Sequence, residues 1–168
     1  YSVTFWYGKS NPSLIQTDMV DIGDGASQAS HSYTAGGASA VTTNSFFYEG
    51  DDDKVAVSDN GHSATGVVQF SASIIPQNEG VVLRRRSDQN VAKQEAVVSV
   101  NGKQVGVWYA SGSNAVKRWR DDQFFIPQSV TQNLSTLTIS LTPVSQPWSA
   151  YTYWVFSNIG PLCNSTAP

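Results

Sequence analysis

The groups best suited to chemistry in this sequence lie in the segment Leu-Arg-Arg-Arg-Ser-Asp-Gln at positions 83–89. Because side chains alternate along a strand, Arg84 and Arg86 are expected on one face and Arg85 on the other. Two guanidiniums on one face need carboxylates or ligand oxygens as partners, and Asp88 has the parity to provide one. The segment therefore predicts either a row of groups that hydrogen-bonds sugar hydroxyls or a structural ladder of salt bridges.

Aromatic residues supply the second half of a possible sugar site. The chain has five tryptophans, and Trp119 lies in the charged run 117–122, which is unusual for a core ring. An exposed ring offers an apolar surface to the C–H groups of a sugar, while neighbouring charged groups fix its hydroxyls. The alternative is that the tryptophans belong to the core. The predicted ligand surface comprises Arg84, Arg86, Asp88, Trp108, Trp119 and Asp122.

An acidic stretch, Glu-Gly-Asp-Asp-Asp, occupies positions 49–53 between two predicted strands. Carboxylates this close repel one another unless they are solvated, paired or bound to a cation, and clustered hard oxygens suit Ca²⁺. The candidate calcium ligands are Glu49, Asp51 and Asp53, although their spacing does not match an EF-hand loop. A second acidic set consists of Asp18, Asp21 and Asp24. For each set the alternative is a solvated turn without a cation.

Catalysis has weaker support in the sequence. Hydrolysis of a glycosidic bond commonly needs two carboxylates, about 5–5.5 Å apart for retention or about 6.5–9.5 Å for inversion. Glu49, Glu79, Glu95 and the aspartates are available, but the sequence does not indicate which two carboxylates face each other. No zinc-binding His or Cys pattern and no Gly-x-Ser-x-Gly nucleophile elbow is present. Binding without catalysis is therefore the favoured interpretation.

Composition restricts the partners of the chain. Among its 168 residues only 14% are charged, the net charge is −3 and the isoelectric point is near 5.1. A nucleic-acid partner is not expected because little here would neutralise phosphates, and no apolar run reaches the ~20 residues of a membrane span. The first residue is Tyr1, glycosylation sequons begin at Asn133 and Asn164, and Cys163 is the single cysteine. Together these features favour a secreted glycoprotein.

Short runs of β-branched and aromatic residues, separated by Gly, Asn, Asp, Pro and Ser, predict about ten strands, the first at 2–7. The dipeptide Asn101-Gly102 is typical of a two-residue hairpin turn, and the alternation in 136–141 indicates a strand with one buried face. Helical periodicity is almost absent. The sequence predicts an all-β, antiparallel, two-sheet jelly-roll sandwich, with a single domain at 1–160 and a C-terminal tail at 161–168.

The second half of the chain, roughly 80–157, resembles β-sandwich segments of a known enzyme family. The family contains difructose-anhydride synthase-type and arabinofuranosidase-type jelly-roll glycoside hydrolases, which act on fructofuranosyl and arabinofuranosyl linkages. The similar stretches are 82–89, 94–102, 105–109, 119–124 and 126–127, and the stretch 48–52 is similar to a Gly-Glu-Gly-Asp-Asp motif of the family with Tyr48 in place of glycine. The resemblance implies a jelly roll and furanoside or related sugar chemistry. The chain is about half as long as the two-jelly-roll enzymes, so a catalytic pair completed by the other half would be absent.

Taken together, these features predict a secreted, lectin-like domain that binds a glycan or small sugar, with Ca²⁺ as a candidate cofactor. Two alternatives remain open. One is a glycoside hydrolase that acts on furanosides or fructans through a carboxylate pair. The other is a structural jelly roll that forms oligomers through an outer sheet.

Overall fold

The computed structural model describes residues 14–48 and 55–160 of the chain. Several predicted features therefore lie outside the described residues: the strand at 2–7, the acidic loop with Glu49, Asp51 and Asp53, the tail at 161–168 with Cys163, and the sequon at Asn164. In the described part of the chain, no helix has the length and hydropathy needed to cross a membrane.

The described residues form twelve strands, a short α-helix and a single turn of 3₁₀-helix. The strands are β1 (Leu14–Asp21), β2 (Thr34–Ala35), β3 (Ser39–Ser45), β4 (Val57–Ala64), β5 (Val68–Ser73), β6 (Gly80–Asp88), β7 (Gln94–Val100), β8 (Lys103–Ala110), β9 (Trp119–Pro127), β10 (Thr136–Pro143), β11 (Trp148–Ala150) and β12 (Thr152–Asn158). The helices are α1 (Gly25–Ser30) and the 3₁₀ turn at Gln128–Val130.

The strands form three antiparallel sheets. The first has the order β1-β12-β6-β9, the second β2-β5-β10-β7-β8, and the third, a small one, β11-β4-β3. The predicted all-β, antiparallel class is confirmed. The first two sheets pack face to face, as shown by the stacked rings of Phe70 on β5 and Tyr153 on β12, whose centroids are 4.6 Å apart.

Two local predictions are also confirmed by the backbone. Asn101 and Gly102 have φ values of 50° and 79°, the left-handed conformation that a tight hairpin between β7 and β8 requires. Along β10 the apolar side chains of Leu137, Ile139 and Leu141 are fully buried, whereas Thr138 between them is exposed and Ser140 is half-buried. The second sheet therefore presents one face to the core and one to water.

A buried guanidinium lies where the three sheets meet. Arg85 on β6 is fully buried, and its Nε and Nη2 donate to the two carboxylate oxygens of Asp122 on β9 at 3.1 and 2.8 Å. Its Nη1 donates to Gln94 Oε1 on β7 and to the carbonyl of Ser149 on β11, both at 3.1 Å. The guanidinium lies over the ring of Trp148, with Cζ 3.4 Å from the ring centroid.

Gln94 extends this polar network into the loop after β6. Its Oε1 also accepts from the backbone N–H of Ser149 at 2.8 Å, and its Nε2 donates to the carbonyls of Asp88 and Val91 at 3.0 and 3.1 Å. The network thus joins β6 and β9 of the first sheet to β7 of the second and β11 of the third. Buried charge is tolerated here because it is paired and hydrogen-bonded on several sides.

We expect Asp122→Asn to destabilise the protein by about 3–5 kcal/mol, because removing one member of a buried ion pair leaves the other charge uncompensated. The neighbouring Asp121→Asn is the matched control, and it should cost about 0–1 kcal/mol because Asp121 pairs with Arg86 at the surface. Urea unfolding of both variants measures the difference. Equal losses in the free energy of unfolding would show that the buried Arg85–Asp122 pair stabilises the fold no more than the surface Arg86–Asp121 pair.

Candidate functional site

The outer face of the first sheet carries the arginines that the sequence singled out. Strand alternation places Arg84 and Arg86 on this face and Arg85 in the interior, as predicted. Neighbouring strands add side chains to the same face through the antiparallel register. We call this surface the arginine–aromatic face; it comprises Phe47, Arg84, Arg86, Asp121, Gln123, Trp154 and Phe156.

Arg86 is held between rings and a carboxylate. Its Cζ is 4.7 Å from the ring centroid of Phe47 and 5.1 Å from that of Trp154, both within cation–π range. On the other side, its Nε and Nη2 donate to the oxygens of Asp121 at 3.1 and 3.3 Å. This two-point contact fixes the plane of the guanidinium at the protein surface.

Arg84, two residues earlier on β6, has surroundings of the same kind as Arg86. We call each arginine, with its neighbouring ring and its hydrogen-bond acceptor, a rung. The Cζ of Arg84 lies 4.9 Å from the ring centroid of Phe156. With the amide of Gln123 oriented to satisfy both groups, Gln123 Oε1 accepts from Arg84 Nε at 2.9 Å and from Nη2 at 2.7 Å. The two rungs therefore repeat one pattern, with a ring on one side of the arginine and an acceptor on the other.

In the part of the chain that the structure describes, each of these two arginines keeps one nitrogen without a hydrogen-bond partner. Within the described residues, Nη1 of Arg84 and Nη1 of Arg86 make no hydrogen bond to the protein. Both guanidiniums are only partly exposed, and contacts on either side fix their planes. The face therefore presents oriented N–H donors beside apolar rings, an arrangement that suits a ligand with both hydroxyl groups and C–H surface.

A carboxyl group with a shifted pKa lies near Arg86. Burial raises the pKa of Asp59, and the charge of Asp21 raises it further. A hydrogen bond from the backbone N–H of Asn60 and the charge of Arg86 act in the opposite direction. The net effect is a raised pKa, so this carboxyl group accepts a proton more readily than a solvated aspartate.

One end of the face opens into a hollow of about 200 Å³, which we call the face-end hollow. It forms because the segment 46–48 runs beside the start of β9, where the Tyr48 N–H donates to the Trp119 carbonyl at 2.9 Å. The ring of Tyr48 is 48% exposed there. The lining residues are Phe47, Tyr48, Trp119, Arg120 and Asp121.

Trp108 and Trp119, which the sequence placed on the predicted ligand surface, are core residues, the alternative that the sequence left open. Trp119 is fully buried, and its indole N–H donates to the Val57 carbonyl at 2.9 Å. Its ring packs edge-on against that of Tyr151, with the ring centroids 4.5 Å apart. Trp108 is 2% exposed and packs against Trp148. The charged neighbours of Trp119 in sequence do not expose its ring, because adjacent residues of a strand point to opposite faces.

The two predicted acidic members of the ligand surface are also placed differently. Asp122 points inward and neutralises Arg85. Asp88 is 5% exposed and pairs with Arg118, not with Arg84 or Arg86 as expected. Strand parity does not place Asp88 on the outer face because β6 ends at this residue, whose N–H donates to Ser149 Oγ on β11 at 3.1 Å. Of the predicted surface, Arg84 and Arg86 remain together on the outer face.

Sequence reasoning missed the rings that complete this face. Trp154 and Phe156 share a parity on β12, which was a usable signal, but Tyr153 and Val155 make the opposite face equally apolar. Phe47 lies beyond the end of β3 and reaches the face only because its segment pairs with Trp119. Its position depends on long-range pairing that the local sequence does not reveal.

The second acidic set does not converge on a cation site. Asp18 accepts from the Ser73 N–H at 2.6 Å and contacts His31 Nε2 at 2.9 Å. Asp21 accepts from a backbone N–H in its own turn, and Asp24 caps α1. Among the described residues, no three His, Cys, Asp or Glu side chains are grouped to hold a metal ion.

The Asp18–His31 pair shifts both pKa values. Burial opposes ionisation of Asp18, but the hydrogen bonds from Ser73 and His31 outweigh it and lower the pKa of the carboxyl group. Burial likewise opposes charging of His31, but the Ser27 carbonyl and the Asp18 carboxylate outweigh it and raise the pKa of the imidazole. The pair connects the end of α1 to β1 and β5.

Comparison with known proteins gives a fold but no family. No family model matches the chain, and no curated protein matches its sequence. A family 35 carbohydrate-binding module from Clostridium thermocellum has 15% identity and a TM-score of 0.52, covering 88% of this chain and 98% of the module. A carbohydrate-binding module from Cellvibrio mixtus lichenase 5A, in complex with cellotriose, has 12% identity and a TM-score of 0.53, covering 84% and 97%. The chain therefore has the β-sandwich jelly-roll fold of these modules.

The Asp18–His31 pair predicts a pH dependence of stability. A raised folded pKa of His31 stabilises the protein below the unfolded value of about 6.5, and a lowered folded pKa of Asp18 stabilises it above about 3.9. The stability difference between wild type and His31→Gln should therefore be largest between about pH 4 and 6.5, and should shrink as the pH rises through the folded pKa of His31. Urea unfolding across pH measures it, and a difference independent of pH would contradict the assignment.

Proposed function

We propose that this chain is a carbohydrate-binding domain that holds its ligand on the arginine–aromatic face and does not itself catalyse a reaction. The observation that carries the proposal is the paired rung structure. Two guanidiniums lie between rings and acceptors, each with an Nη1 that has no partner among the described residues, beside a hollow with an exposed tyrosine.

The chemistry of the face matches both surfaces of a sugar. Ring faces at Trp154 and Tyr48 accept the apolar C–H side, and the free guanidinium donors bind hydroxyl oxygens. The carboxylate of Asp121 has lone pairs left to accept from a hydroxyl group. Because the arginines are already ordered by the protein, less conformational entropy is lost when a ligand binds.

The comparisons support a carbohydrate as the ligand, although the proposal does not depend on them. Both solved structures named above are carbohydrate-binding modules, and one of them contains cellotriose. They share the fold of this chain over most of their length. The proposal for this chain still rests on its own side chains, since its identity to either module is 15% or lower.

Secretion and calcium belong to the same proposal. The described sequon residue Asn133 is exposed in a turn with φ of 66°, which is accessible to glycosylation and supports an extracellular location. Calcium would be held by Glu49, Asp51 and Asp53, directly after Tyr48 in the sequence. Because those residues lie outside the described part of the chain, the support is their chemistry alone.

The hydrolase alternative gains no carboxylate pair from the described glutamates. Glu79 precedes the start of β6, whereas Glu95 lies on β7, which follows the end of β6. The nine residues of β6 separate these ends by about 25 Å at the usual rise per residue, much farther than either hydrolytic mechanism allows. Glu49, the remaining candidate, lies outside the described residues.

A glycan array tests the ligand class and the calcium dependence together. We expect binding to a defined set of glycans, and we expect EDTA to weaken it if the acidic loop holds calcium. Binding that is unchanged by EDTA would remove calcium from the proposal. Silence across all glycans in the presence of calcium would contradict carbohydrate binding itself.

Substitution of Tyr48 tests the location of the site. We expect Tyr48→Ala to weaken the affinity for the best array ligand by about tenfold, since stacking on an aromatic ring contributes on the order of 1 kcal/mol or more. Tyr109→Ala is the matched control, because Tyr109 is similarly exposed, at 54%, on the outer face of the second sheet. Isothermal titration calorimetry measures both, and equal effects of the two substitutions would place the ligand elsewhere.

A further inference from the structure

A second hollow, of about 220 Å³, lies between β3 and the loop that joins β6 to β7. It shares no lining residue with the face-end hollow. Most of its lining side chains carry hydrogen-bonding groups, and Val41 and Val91 add apolar surface. We call it the polar hollow; its polar lining includes Thr42, Thr43, Ser63, Asp88, Arg118 and Tyr151.

The polar groups of this hollow are held in place by one another. Arg118 pairs with Asp88 through Nε, at 3.0 Å from Oδ1, and through Nη2. The same Nη2 donates to Thr43 Oγ1 at 3.3 Å, and this hydroxyl is 2.7 Å from the Tyr151 hydroxyl. Asp88, Thr43 and Tyr151 are all at least nine-tenths buried, so the floor of the hollow is rigid before any ligand enters.

Two groups at the polar hollow have unused hydrogen-bonding capacity. Within the described residues, Nη1 of Arg118 and the hydroxyl of Ser63 make no hydrogen bond to the protein. Both side chains are partly exposed. The ion pair with Asp88 already neutralises the charge of Arg118, so an anionic ligand gains little here and a neutral hydroxyl group is the better match.

We propose that the polar hollow is a second, independent binding site for a neutral sugar, and that it holds a single sugar ring. Its volume is below the 300–1,000 Å³ of clefts that enclose larger ligands, so it fits a terminal or single ring rather than the interior of a glycan. Arg118 Nη1 and the Ser63 hydroxyl, which have no partner among the described residues, bind sugar hydroxyls, and Val41 and Val91 contact the C–H groups of the sugar.

Tyr151, at the floor of the polar hollow, has a raised pKa. Burial raises the pKa of Tyr151, and the charge of Asp88 contributes in the same direction against the lowering effect of Thr43 and Arg118. The Tyr151 hydroxyl therefore keeps its proton throughout the physiological range. The hydrogen bond that orders Thr43 is thus retained without dependence on pH near neutrality.

An NMR titration of the ¹⁵N-labelled full chain tests the proposal. The probes are methyl β-D-glucopyranoside, methyl α-L-arabinofuranoside and methyl β-D-fructofuranoside, each at millimolar concentration. We expect at least one of them to cause saturable shifts of the amides of Thr43, Ser63 and Val91. The absence of saturable shifts at these amides with all three probes would overturn the second site.

Paired lysine substitutions separate the two sites. Arg118→Lys retains the charge opposite Asp88 but loses the fork, so it should weaken probe binding at the polar hollow by about tenfold. Arg120→Lys changes a residue of the face-end hollow, two positions along the chain. It should leave the affinity of the probe sugar for the polar hollow unchanged. Ser63→Ala, which removes no hydrogen bond among residues 14–48 and 55–160, should weaken probe binding by about threefold, and it tests the site if Arg118→Lys fails to fold.

Failure of this inference is distinguishable from failure of the proposed function. Arg118→Lys should leave the affinity for the best array ligand unchanged, because Arg118 is not part of the arginine–aromatic face. Equal weakening of probe binding by Arg118→Lys and Arg120→Lys would overturn the independence of the two sites. Array binding without saturable shifts at the polar hollow would overturn the second site and leave the proposed function standing.

Discussion

The buried guanidinium of Arg85 is the interaction on which the arrangement of this protein depends. A charge in the interior is costly unless its hydrogen bonds and its countercharge are supplied together. Here they come from Asp122, Gln94 and Ser149, and the ring of Trp148 covers the guanidinium plane. Because these groups belong to all three sheets, satisfying this one side chain determines where the sheets meet.

The candidate site follows from the same constraint. Directing Arg85 inward turns Arg84 and Arg86 outward, since successive side chains of a strand face opposite ways. Directing Asp122 inward likewise turns Asp121 outward, and the antiparallel register sets it beside Arg86. The same alternation of side chains along β6 and β9 therefore places one set of residues in the core and the other on the arginine–aromatic face. The strands that form the core also position the rungs of the face.

The sequence predicted what depends on local pattern and missed what depends on long-range pairing. Alternation correctly gave the class of the fold and the orientation of the three arginines, and Asn101-Gly102 gave the hairpin. The local pattern could not show that Arg85 pairs with Asp122, or that Asp88 pairs with Arg118, because those partners lie 30 or more residues away. Charge around Trp119 suggested exposure, but its neighbours occupy the other face of the strand.

The proposed ligand contacts the outer rings of the first sheet and not the core tryptophans. Indole N–H resonances in an NMR titration with the best array ligand test this directly, because Trp154 is partly exposed while Trp108, Trp119 and Trp148 are buried. We expect the Trp154 signal to shift in proportion to site occupancy and the three buried signals to stay in place. A shift confined to the buried indoles, with Trp154 unchanged, would contradict binding on the arginine–aromatic face.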